Sequence, residues 1–84
     1  MKTVFLRGDQ LNHENLARAF GFPEYYGGNL DALHDCLTEI GCDTAVILSC
    51  LHRADEDGWR IYTVLADSAR ENPHLALYAA SRIA

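Results

Sequence analysis

Three carboxylates recur at a helical repeat in the stretch NLDALHDCLTEI: Asp31, Asp35 and Glu39 fall at i, i+4 and i+8, with His34 and Thr38 beside them. Residues of these types in this pattern can do three things. Aspartates one turn apart with a histidine between can hold a metal ion or move protons. A row of carboxylates can meet a cationic partner. An acidic helix face can also simply be solvated.

The first option lacks its remaining parts. No HExxH, CxxC, P-loop or GxSxG motif accompanies the row. No second set of ligands completes a metal site, and no activated nucleophile is in view. Cys50, His52 and Asp55 have weak metal-ligand spacing. His13 and His74 are isolated and receive no assignment. The expectation is a protein that is not an enzyme, with no catalytic residue, no metal and no cofactor.

Charge favours a protein partner. The net charge is −5, unevenly spread: from Glu24 to Asp57 eight acidic residues face one basic residue, Arg53. Such a surface disfavours nucleic acid and anionic membrane and suits a basic protein. Acidity alone also keeps proteins dispersed, so the row needs a closer look. Asp31 sits in the first helical turn, where the helix dipole favours an anion. Asp35 and Glu39 have no such benefit. Each like-charge i,i+4 pair costs a few tenths of a kcal/mol, and Glu39 lies toward the C-terminal end, where the dipole disfavours it.

The loop ahead of the helix points the same way. FPEYYGG puts Tyr25 and Tyr26 side by side. Two neighbouring side chains in an irregular loop are not both readily buried, so one is expected in the core and the other partly exposed. An exposed tyrosine offers a rigid face and a polar tip, the kind of residue that anchors interfaces. Gly27 and Gly28 either let a partner approach the backbone or serve a turn needing positive φ.

The elements that must position these residues are legible from periodicity. Eighty-four residues make one domain with a modest core. Lys2–Leu6 reads as a strand and Arg7–Gln10 as a turn. Asn12 caps a helix through Phe20, which Gly21 ends and Pro23 leaves. Asn29 caps a second helix to about Ile40, where Gly41 stops it; its buried stripe is Leu30, Leu33, Leu37 and Ile40, with Cys36 beside it. Thr44–Ser49, TAVILS, is a near-continuous apolar run, as in a strand covered on both faces. His52–Gly58 reads as a loop. Trp59–Arg70 reads as a third helix with Trp59, Tyr62, Leu65, Ala66 and Ala69 inward. Pro73 breaks it, and His74–Ala79 is a last strand. The order implies an α/β fold with a small parallel sheet and right-handed crossovers.

Cys42 and Cys50 flank one strand, roughly 25 Å apart at ~3.3 Å per residue, too far for a disulfide. With no apolar run long enough for a membrane span or a secretory segment, and with reduced thiols, the expected location is cytoplasmic.

PEYYGGNLDALHDCLT closely resembles the barstar family of intracellular ribonuclease inhibitors, and the element order of the whole chain is similar. The resemblance implies a three-stranded parallel sheet packed with helices. It implies an inhibitor that plugs the active site of a basic, guanyl-type (barnase-like) ribonuclease, as a monomer when free and 1:1 with the nuclease. By position in the motif, Asp35 resembles the central aspartate that enters the phosphate pocket, and Asp31 its neighbour one turn earlier. Tyr25 resembles the tyrosine that packs on the catalytic histidine. Gly27 and Asn29 match the binding loop, and Thr38 matches the threonine at the helix end. Asp67 falls where the family has a glutamate that meets a nuclease arginine, with Val64 beside it. The chain departs from the pattern at Gly28 (glutamate in the family), His34 (tryptophan), Glu39 (glycine) and Ile40 (tryptophan). His34 and Glu39 thus join the expected recognition surface. The alternative is a barstar-like regulatory module that binds another basic protein without inhibiting a nuclease.

Overall fold

The computed structural model describes residues 1–24 and 26–80. Three parallel strands, β1 (Lys2–Arg7), β2 (Thr44–Ser49) and β3 (Leu75–Ala80), lie in the order β1-β2-β3. Helices α1 (His13–Phe20) and α2 (Leu30–Thr38) connect β1 to β2, and α3 (Glu56–Glu71) connects β2 to β3. This is the α/β class expected.

Strand order explains where the helices go. Each crossover steps the same way across the sheet, and right-handed crossovers that step the same way put all their helices on one face. Val4, Val46 and Leu77 are paired across the strands, as are Leu6 and Leu48. Val4, Leu6, Val46 and Leu48 pack with Leu16 of α1, Leu33 and Leu37 of α2, and Ile61 and Leu65 of α3. The opposite face carries the aligned row Phe5, Ile47 and Tyr78. It is open: Phe5 is 70% exposed and Tyr78 58%. TAVILS is therefore the central strand but is not covered on both faces. An apolar run reports a central position, and strand order decides how many faces the helices reach.

Local signals place α1 and α2. The side chains of Asn12 and Asn29 accept from Asn15 N and Ala32 N, both at 2.8 Å, satisfying amides with no partner in the first turn. Gly21 closes α1 in the left-handed region at φ 71°. The end of α2 differs from expectation. The helix stops at Thr38, with Glu39 as its cap, before Gly41 is reached. Buried Asn72, next after α3, donates from Nδ2 to Leu37 O (2.9 Å) and Ile40 O (3.0 Å). One side chain from 32 residues and more away thus bonds a carbonyl in the last turn of α2 and another just beyond its end.

The start and phase of α3 also differ from expectation. Asp55 accepts from Gly58 N at 2.8 Å and starts the helix at Glu56, inside the segment expected as loop. The buried stripe is Gly58, Ile61, Leu65 and Ser68. Trp59, expected inward, is 44% exposed and sits edge-on to Tyr62, ring centroids 5.6 Å apart. A Cβ at Gly58 would meet Ala54 and Leu11, so a residue without a side chain fills the inward position there and Trp59 falls one residue off the stripe.

Candidate protein-binding face

The buried stripe of α2 aims its acidic row. Leu33 and Leu37 are fully buried, which turns Asp31, Asp35 and Glu39 outward, and all three are exposed. Among the described residues none of the three side chains forms an ion pair or a hydrogen bond. Elsewhere many carboxylates are matched. Arg18 meets Glu14 at 3.3 Å, Arg60 meets Glu56 at 3.1 Å and Asp57 at 3.3 Å, and Arg7 meets Asp9 at 2.9 Å. Arg70 pairs with Asp67.

Cys36 records the field along this helix. Burial first, then the Glu39 and Asp35 carboxylates, hold its thiol above the ordinary value. Two anions close enough to oppose a third leave a surface where a cation is favoured.

The other expected residues that the structure describes fall on or beside this face, several with their groups already engaged. Asn29 Oδ1 is spent on its own helix cap. Gly28 is at φ 70°, where a glycine has no side chain to strain. Gly27 is exposed, and Tyr25 lies outside the described residues. The Thr38 hydroxyl donates back to His34 O at 2.9 Å and Asp35 O at 3.2 Å. His34 Nε2 stands 3.0 Å from Glu71 Oε2 on α3. A carboxylate only accepts, so Nε2 carries the hydrogen. Val64, Asp67 and Glu71 share a stripe of α3 at i, i+3 and i+7, and the His34–Glu71 bond fastens that stripe to α2. Val64 itself is half-buried against the core.

Among the described residues no three His, Cys, Asp or Glu side chains gather as metal ligands. No helix there is long and apolar enough to cross a membrane.

Two contributors escaped the sequence reading. Glu71 is an ordinary helix-end glutamate until the fold places it on His34. His13, left unassigned, shares a hydrogen bond through Nδ1 with the hydroxyl of Tyr26, their rings tilted with centroids 5.8 Å apart. Burial pushes the Tyr26 phenol above its ordinary value. Tyr26 is thus partly buried against the core. His74, also unassigned, pairs with Asp43 at 3.0 Å.

An outward acidic helix behind a glycine-tyrosine loop, on a sheet of order β1-β2-β3, can be set against known families. The sequence model of the family described as Barstar (barnase inhibitor) matches residues 5–78. The chain belongs to the barstar family. It is also similar to a Bacillus subtilis (strain 168) protein named "Putative ribonuclease inhibitor YrdF", 62% identical over 26 residues. That match covers 31% of this chain and 29% of the relative, less than a third of either. The family's description is that of an inhibitor of barnase.

Proposed function

We propose that this barstar-family chain acts as one unit in the cytoplasm, a monomer when free, and inhibits a basic, guanyl-specific ribonuclease by 1:1 occlusion of its active site. The observation that carries the reading is the bare carboxylate row of α2 in a molecule whose other helices pair most of their carboxylates with arginines within a turn.

A ribonuclease site is cationic because it holds substrate phosphate. Asp35, midway along the row, would enter that pocket, with Asp31 beside it and Tyr25, Gly27 and Asn29 forming the preceding contact. Opposite potentials speed encounter in a salt-dependent way. Close hydrogen-bonded charge pairs then slow departure. Thr38, Glu39 and His34 frame the far end of the row, and Val64 and Asp67 extend the surface onto α3. His34 and Glu39 are where partner choice would differ from relatives, since a histidine held by Glu71 presents different chemistry from the tryptophan of the family pattern.

Titration against guanyl-specific microbial ribonucleases tests the proposal. The expected result is stoichiometric inhibition that weakens as salt rises. An absence of inhibition at micromolar protein and low salt would sink it in favour of a regulatory module.

A further inference from the structure

Among the described residues, the loop between α1 and α2 has few backbone ties. Over residues 22–24 and 26–28, Phe22 N donates to Ala17 O and Tyr26 N to Pro23 O, both at 3.0 Å, and both bonds are local. Two glycines follow, and glycine adds conformational freedom to a loop. What fastens the described part of the loop is the Tyr26 side chain. Its ring tilts onto Phe22 at 4.9 Å, and Phe22 stacks on Phe20 at 5.4 Å. Its hydroxyl reaches His13. Phe20 ends α1 and His13 begins it, so Tyr26 holds the loop to both ends of that helix. His13 also lines a cleft of about 670 Å³ with Asn29, Leu30 and Asp31, beside the start of α2.

We propose that His13, outside the binding face, is a positioning residue for it. The His13–Tyr26 bond holds the 23–29 loop, and with it the N-terminal end of α2 that carries Asp31, in the one arrangement a partner meets. The functional half of this inference rests on the inhibitory reading above; the structural half does not. A loop that samples other arrangements binds more weakly in proportion to its competent fraction. Removing the bond therefore weakens binding without touching a contact residue. If Tyr26 served only as packing, its ring alone would suffice.

The test compares Tyr26→Phe, His13→Leu, their double variant and His13→Gln, whose amide can still bond the hydroxyl. Backbone order parameters are measured by nitrogen relaxation in the free protein, and inhibition is measured on a guanyl-specific ribonuclease. At Gly27, Gly28 and Asn29 the expected values are about 0.85 in the wild type and about 0.6 or lower in Tyr26→Phe and His13→Leu. Residues of β2 and α3 should not change. The double variant should be no looser than either single, and His13→Gln should recover most of the order. Inhibition should weaken about tenfold in the loosened variants if about one molecule in ten keeps the competent loop. Unchanged order in both single variants would overturn the proposal, as would loosening spread over β2 and α3 or an additive double variant. Loosening with undiminished inhibition would overturn its functional half. If the loop loosens but the wild type inhibits no ribonuclease, the positioning stands and the inhibitory reading falls.

Discussion

Helices α2 and α3 pack side by side and are both rich in carboxylates, yet they treat them differently. On α3, Glu56 and Asp57 share Arg60, and Asp67 has Arg70, each within a turn. Exposed pairs of this kind contribute only tenths of a kcal/mol, but each places a cation within a turn of its carboxylate. On α2, Asp31, Asp35 and Glu39 lie one turn apart with no ion-pair partner among the described residues. The same residue type serves as surface compensation on one helix and as bare charge on the other. Only bare charge can be offered to a partner without first breaking an internal pair.

The strongest test of this contrast is Asp35→Ala. Truncating one side of a desolvated, hydrogen-bonded charge pair costs about 2–5 kcal/mol of binding, a range whose reference cases include a barstar complex. Stability should move by about half a kcal/mol or less, as for most surface changes. Binding kinetics and thermal melts on one preparation would show faster dissociation at an unchanged melting temperature. Glu56→Ala on α3 is the control and should alter neither. Wild-type affinity for Asp35→Ala would mean that the acidic row is not the binding face.

Asn72→Ala should show what holds the two helices in their relative places. It leaves Leu37 O and Ile40 O without their buried donor and His74 N without its acceptor. The expected loss of stability in a denaturant titration is about 1–3 kcal/mol. A variant as stable as the wild type would show that α2 ends without help from its neighbour.

Glu39→Ala should sharpen the contrast within α2 itself. At the C-terminal end its charge is opposed by the helix dipole. Its removal should leave stability unchanged or raise it by a few tenths of a kcal/mol. Stopped-flow association at two salt concentrations should then show a shallower salt dependence and little change in dissociation. A large rise in the dissociation rate would move Glu39 into the centre of the interface.

The smallest effect concerns Asp9, a carboxylate matched outside either helix. Its side-chain hydrogen bond with Arg7 holds it below the ordinary 3.8. With a folded value below the unfolded one, its contribution is present above pH 3.8 and is lost as the pH falls through the folded value. Asp9→Asn should therefore slightly flatten the acid limb of the melting-temperature profile. An unchanged acid limb would mean that the pair is too well solvated to register.

Much of the site was written in local order. Asn12, Asn29 and Gly21 act within four residues of themselves, so their capping roles follow from position along the chain. Leu33 and Leu37 bury one side of α2, and the 3.6-residue repeat then turns Asp31 and Asp35 outward. The motif from Pro23 to Thr38 carries the family likeness because its parts are contiguous. What tertiary structure decided are meetings between residues far apart. Asn72 ends α2 from beyond α3, Glu71 claims His34, and His13 takes the hydroxyl of Tyr26. Trp59 stays outside because the buried stripe of α3 runs through Gly58, Ile61, Leu65 and Ser68, and Phe5 and Tyr78 stay bare because both crossovers step the same way. A side chain's local propensity depends on neighbours within a turn. Its partner across the fold depends on how elements are brought together, and no short stretch of sequence encodes that.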